Sequence, residues 1–308
     1  MLTIRGLRKV FRGKSLPAVA DLDLDIRPGE ILGLVGLNGA GKTTTIRMAA
    51  GLTTPTAGVV TINGLDVVTQ KAEASRYIGI VPEFPSFEPA SRALNQLRYY
   101  AGFYGLRGSA ARDRCRELLR QVGLPDLERV RLRTFSQGMK KRFSLAASLL
   151  GDPEILLFDE ILSGLDPEGV LLTRNLMIDL RTRNRGILLS SHILSEVQQV
   201  ADRVAIMHQG RLVKTLKRDE APSDGGLTLR LTIANLDDAA VELLRSYGEV
   251  RREATTVWLS RLKVEPSEVN AQLVRRNYRV VSLGYETQNL EQAFFDAVRG
   301  PPPPPPPP

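Results

Sequence analysis

Residues 36–45 read GLNGAGKTTT, a loop almost without side chains, closed by a lysine and three threonines. This composition suits the holding of phosphate. Glycines let backbone N–H groups curl around phosphate oxygens, and a helix starting just after them adds the partial positive charge of its N-terminus. Gly36, Gly41, Lys42 and Thr43 fit the spacing G-x-x-x-x-G-K-[ST]. The strand-like run EILGLVG (30–36) enters the loop, and KTTTIRMAAGL (42–52) leaves it at helical spacing, ended by Gly51. That context disfavours the competing reading of a glycine turn with a chance lysine. The candidate nucleotide site is thus Gly36, Asn38, Gly39, Ala40, Gly41, Lys42, Thr43 and Thr44. Lys42 would reach the β- and γ-phosphates, and the Thr43 hydroxyl would ligate Mg²⁺.

Further apolar runs follow this loop in the chain: YIGIVP (77–82), EILLFDE (154–160), GILLSSH (186–192) and RVAIMHQG (203–210). Unbroken runs of Ile, Leu and Val suit strands buried on both faces of a largely parallel sheet. Helical segments between them make the pattern doubly wound α/β. Residues from about 90 to 150 carry Leu, Arg and Ala at helical spacing and read as a helical insert. Asp159 and Glu160 end the run ILLF, at the strand edge where ligands of open α/β sheets gather. One carboxylate there can hold Mg²⁺ while its neighbour polarises an attacking water; a capping pair after a strand is the alternative. His192 ends the next run, where a neutral imidazole could bond the γ-phosphate or the water, or serve only structure.

Bulk properties bound the function. The 308 residues suffice for one large and one smaller domain, with 43% hydrophobic and 25% charged content. No run of about 18 apolar residues is present, so no span is expected. MLTIRGLRKVF lacks the continuous apolar core and cleavage site of a secretory signal, and the cytoplasm is the expected compartment. Cys115, the single cysteine, can form no internal disulfide and reads as a spectator on a helix. Net charge is +8, and residues 107–142 hold 11 Lys/Arg against four Asp/Glu, whereas residues 222–300 hold 10 against 11. The basic stretch suits phosphates, an anionic membrane surface or plain water, and the even C-terminal charge argues against nucleic acid.

After Leu216 the texture changes. APSDGG (221–226) reads as linker. Strand, helix, two strands, helix and strand follow, the βαββαβ order of a small ferredoxin-like domain, and NLEQAFFDAVR (289–299) reads as a last helix. The eight terminal prolines suit a polyproline II tail.

FSQGMKKRFSLAASLL (135–150) holds a local conflict. Ser136 is a good N-cap, and Phe143, Ala147 and Leu150 share an apolar face. Lys140, Lys141 and Arg142, however, crowd first turns where the helix dipole disfavours cations. An anion at this terminus would ease the conflict, as would side chains extending into water.

Taken together, GLNGAGKTT, FSQGMKKR, ILLFDE, SGLD (163–166) and SSH occur in the order and spacing of an ATP-binding cassette. Residues 1–216 resemble that family, and FSQGM resembles the signature of its drug, polysaccharide and sodium exporters. The resemblance implies a P-loop NTPase cassette with a largely parallel sheet, antiparallel N-terminal strands and a helical insert at about 90–150. A linker (217–226), an accessory α+β domain (227–300) similar to the extension of exporter cassettes, and the tail (301–308) complete the expected order. By the same resemblance, two copies close head to tail around two ATP molecules. Ser136, Gln137 and Gly138 of one copy would then meet the γ-phosphate held by the other. Asp166 would pass between the sites, Glu160 would act as general base, and His192 as γ-phosphate switch. Phe11 falls where cassettes place an adenine-stacking aromatic, though a core or edge role fits too.

The chain departs from the family's pattern at Glu83, where many cassettes have glutamine. With Thr43 and Asp159 it forms the expected Mg²⁺ set, at the cost of added negative charge beside phosphate. Phe84 and Phe87, in EFPSFEPASR (83–92), suit an exposed ledge for a membrane permease, or packing within their own domain. The implied activity is ATP hydrolysis by a homodimer, or a pair with a related ATPase subunit. It would drive a separate permease for export, with the chain peripheral on the inner face of the cell membrane. A soluble ATPase acting on ribosomes, DNA or cofactor assembly is the alternative; it commonly brings a second cassette or long coiled coils, which this chain lacks.

Overall fold

A computed structural model describes residues 1–217 and 227–287. The chain divides into two compact units, residues 1–218 and 219–308.

The first unit opens with β1 (Leu2–Lys9) and β2 (Val19–Ile26). In β2, Val19, Leu22, Leu24 and Ile26 are buried while Asp21, Asp23 and Asp25 point away, the alternation of a strand with one solvated face. β3 (Ile31–Val35) leads through the glycine loop into α1 (Lys42–Ala49). β4 (Ala57–Ile62), β5 (Leu65–Asp66), α2 (Lys71–Ala74) and β6 (Ile78–Val81) follow. Three helices then occupy the predicted insert: α3 (Ala93–Phe103), α4 (Gly108–Gln121) and α5 (Gln137–Ser148). β7 (Ile155–Asp159), α6 (Pro167–Thr182), β8 (Gly186–Ser191), α7 (Leu194–Gln198), β9 (Arg203–His208) and β10 (Arg211–Lys217) complete the unit.

Two sheets result. One is antiparallel, in the order β2-β1-β4-β5. The other runs β10-β9-β3-β8-β7-β6, parallel except for β10 at its edge. All five apolar runs are strands of this second sheet. β3, β7 and β8 are buried at every position, which is why their sequences show no alternation. Leu2, Ile4, Leu22 and Ile26 of the first sheet pack in one core with Leu32, Leu34, Leu157 and Leu188 of the second.

The register sets up the site. Val35 pairs with Ser191, Asp159 with Ser190, and Val81 with Phe158. The carboxyl ends of β3, β8, β7 and β6 are therefore adjacent, and the chain leaves them at the glycine loop, His192, Glu160 and Glu83.

The second unit runs β11 (Leu227–Ile233), α8 (Asp238–Tyr247), β12 (Glu249–Glu253), β13 (Thr256–Ser260), α9 (Pro266–Arg275) and β14 (Val280–Thr287). Its sheet is antiparallel throughout, in the order β12-β13-β11-β14. Leu229, Leu231, Val257 and Leu259 pack with Leu244 of α8 and Val269 and Leu273 of α9. Most of the expected linker, the last helix (289–299) and the polyproline tail lie outside the described residues.

Candidate nucleotide-binding site

The glycine loop is built around main chain. A Cβ on Gly41 would lie 2.4 Å from the carbonyl oxygen of Ala18, and its φ is +104°, so only glycine fits. The first intrahelical bond of α1 runs from the Thr45 N–H to Gly41 O at 2.9 Å. The N–H groups of Lys42, Thr43 and Thr44 thus precede the helical ladder and need an acceptor from outside it. Lys42, only 6% exposed, curls over the loop and donates to Gly36 O at 2.7 Å. Its ammonium also lies 3.4 Å from Glu160 Oε1. Orphan amides converging with a buried cation fit a polyphosphate.

Behind the lysine, the Thr43 hydroxyl donates to Asp159 Oδ1 at 3.1 Å. The Ser190 hydroxyl donates to the same carboxylate oxygen at 2.7 Å and accepts from the Glu160 N–H at 3.1 Å. Thr43 and Asp159 supply hard oxygens from two elements. That donor set suits Mg²⁺, which keeps most of its shell as water and phosphate and takes few protein ligands. Among the described residues no group of three His, Cys, Asp or Glu could hold a metal by itself. Glu83 is half-buried and makes no hydrogen bond to Thr43 or Asp159. Its carboxylate is instead the largest charge acting on Lys141.

Glu160 lies between two groups. Its Oε1 faces Lys42 and its Oε2 lies 2.9 Å from His192 Nδ1. Its backbone has a φ of +50°, the left-handed region that a branched-free but bulky residue enters only when the surroundings hold it there. The side chain is buried, whereas His192 is 42% exposed. The carboxylate can therefore accept a proton at a site with a cation on one side and an imidazole on the other.

The structure does not bring every predicted residue to this point. Ser136 caps α5, accepting from the Met139 N–H at 3.1 Å, and Asp166 caps α6, accepting from Gly169 N–H at 3.2 Å. Both cap residues, with Gln137, are exposed. Within this chain no hydrogen bond links Ser136, Gln137, Gly138 or Asp166 to the glycine loop, among the described residues. Phe11 lies on the loop after β1, 44% exposed, with the Lys9 ammonium 5.2 Å from its ring centroid. Phe84 is 75% exposed, but Phe87 meets Phe143 edge-on at 4.8 Å and belongs to the packing of its own unit.

The pattern of the ABC transporter family matches residues 19–163. The linearmycin resistance ATP-binding protein LnrL of Bacillus subtilis (strain 168) is 31% identical over 307 residues, spanning 96% of this chain and 97% of that protein. The chain belongs to the ABC transporter ATP-binding family. The bacitracin transport ATP-binding protein BcrA of Bacillus licheniformis is 34% identical, over 93% of this chain and 94% of its own length. A solved ATP-binding subunit of an ABC transporter superposes with a TM-score of 0.66 and 30% identity, over 73% of this chain and 93% of that one. The chain is accordingly an ATP-binding ATPase. No helix of the cassette, or of the other described residues, is long and apolar enough to cross a membrane.

Two functional features escaped the sequence reading. Ser190 ties the two carboxylate positions together, yet in SSH it looks like any strand serine. Lys141 and Arg142 were expected to meet an anion or water. Lys141 instead turns inward, 6% exposed, to the carbonyls of Glu160 and Ser163, and Arg142 donates to Gly123 O at 3.3 Å. Backbone acceptors distant in sequence left no signal to find.

Proposed function

We propose that this chain is the ATP-hydrolysing subunit of a membrane exporter. Two copies, or one copy and a related subunit, would close around two Mg-ATP and drive a separate integral-membrane permease from the cytoplasmic side. The observation that carries the reading is Glu160, a buried carboxylate between the Lys42 ammonium and the His192 imidazole. In this reading Glu160 takes the proton of the attacking water, and His192 orients the carboxylate and meets the γ-phosphate. Lys42 and the amides of Gly39 to Thr44 hold the phosphates. Thr43, Asp159 and Glu83 would hold Mg²⁺, which would supply charge neutralisation for the phosphates. Ser136, Gln137 and Asp166 are exposed, and with Gly138 they would meet the nucleotide held by the other copy. Phe11 offers an exposed ring face for adenine. The names of LnrL and BcrA, concerned with antibiotic resistance and transport, support export as the direction. Phe84 supports a permease contact beside the basic insert.

Glu160→Gln should lower the ATPase rate by roughly 10²- to 10⁴-fold, the usual worth of a general base, while ATP still binds. With Mg-ATP the variant should run as a dimer in size exclusion with light scattering, and the nucleotide-free protein as a monomer. A Glu160→Gln protein that hydrolyses at the parent rate would remove the base assignment. One that stays monomeric with Mg-ATP, alone and with its permease, would remove the dimer.

A further inference from the structure

The signature helix α5 carries a buried lysine whose acceptors are main chain of the presumed base and of the SGLD turn. Lys141 Nζ donates to the carbonyl oxygen of Glu160 and, at 2.7 Å, to that of Ser163. The peptide on the other side of Glu160 is held as well, by Ser190 Oγ on its N–H at 3.1 Å. Glu160 is thus pinned at both its N–H and its C=O while its φ stands at +50°. One further close approach brings α5 to the same turn, since a Cβ on Gly138 would sit 3.3 Å from Gly164 O; the turn itself is closed by the Ser163 N–H donating to Glu160 O at 3.2 Å.

A cation is an expensive way to satisfy two carbonyls, since burial opposes its charge. Desolvation does hold the Lys141 ammonium below its ordinary pKa, and the carboxylates of Glu83, Glu160, Asp159 and Glu196 act against that. The Lys141 ammonium is thus held by main-chain carbonyls, with these four acids in its surroundings.

We propose that Lys141 is a positioning residue for hydrolysis: by fixing the Glu160 and Ser163 carbonyls it aims the Glu160 carboxylate and links α5 to that base. The link matters because the exposed N-terminus of α5 is the end offered to the other copy's nucleotide. Closure there would then be felt at this copy's Glu160 through the Lys141 side chain. The inference rests on the reading of Glu160 as the base.

The test uses the full-length protein, single-turnover ATP hydrolysis and a fluorescent-ATP affinity. Lys141→Met should lower kcat by about tenfold or more with KM and nucleotide affinity within about twofold, the mark of an interaction used in the transition state. Lys141→Gln, which keeps one uncharged donor, should fall between Met and parent. In a Glu160→Gln background either Lys141 exchange should change the remaining rate by less than about twofold, since residues acting through one another are not additive. If Lys141→Met does not fold, Lys141→Gln carries the same comparison. A kcat within about twofold of the parent in the folded variant overturns the proposal. So does an equal fold-loss in the parent and Glu160→Gln backgrounds. Failure of the underlying reading looks different: Glu160→Gln alone would then hydrolyse like the parent.

Discussion

At the scale of single residues, the site works by surrounding acids with fixed partners. Asp159 accepts from Thr43 and Ser190, and Glu160 is flanked by Lys42 and His192. For each acid the two partners come from opposite sides of the site, one from the start of α1 and one from the end of β8 or the residue after it. Lys42, Thr43, Asp159, Glu160 and His192 were legible as candidates, because phosphate chemistry suits a lysine and a threonine after a glycine loop and acids or an imidazole at strand ends. Ser190 and Lys141 were not, because their partners lie 31 and 19–22 positions away. Cys115 shows the opposite case, a residue that chemistry does not use. It is fully buried in α4, and burial pushes its thiol up to about 11. At pH 8 its thiolate share would be about 0.1%. Native protein should therefore react with a disulfide reagent only as fast as it unfolds. A stoichiometric reaction within minutes, with the fold intact by circular dichroism, would contradict the buried placement.

At the scale of elements, helix ends decide local stability. α5, α6 and α8 begin with Ser136, Asp166 and Asp237, each accepting from the N–H three residues on. This signal was plain for Ser136, since a short side-chain oxygen before an apolar periodic stretch satisfies an orphan amide. At Asp237 the Ala240 N–H, then the Tyr278 hydroxyl, holds the carboxyl below its ordinary value of 3.8. A depressed folded pKa means that the charged cap stabilises above the ordinary value. That contribution disappears as pH falls below it and through the folded value. Asp237→Asn should consequently differ from the parent in thermal midpoint at pH 7 and converge with it by about pH 2. An equal difference at both pH values would show that the charge plays no part. The strands of the parallel sheet were legible for another reason: burial on both faces removes the need for polar positions, leaving ILGLV, ILLFD and GILLSS.

At the scale of the whole molecule, ligand binding and folding are linked. Whatever binds only the folded state stabilises it, by about 2.7 kcal/mol at a hundredfold excess over Kd. For a unit of this size that is roughly 5–10 °C. Adding Mg²⁺ with a non-hydrolysable ATP analogue should raise the midpoint by that order, EDTA should reduce the gain, and Lys42→Ala should abolish it. A Lys42→Ala protein with the full shift would place the phosphate elsewhere. What the sequence settled by itself was local and periodic: the glycine loop between strand and helix, the five buried strands, the insert helices and the acids at strand ends. These follow from neighbours a few residues apart, where backbone sterics and hydrophobic period act. Tertiary structure alone decided that Phe87 packs on Phe143, that Ser190 joins Asp159 to Glu160, and that Lys141 points inward. Each of those depends on which strand ends lie side by side, and sheet register, unlike helix period, is set by contacts far apart along the chain.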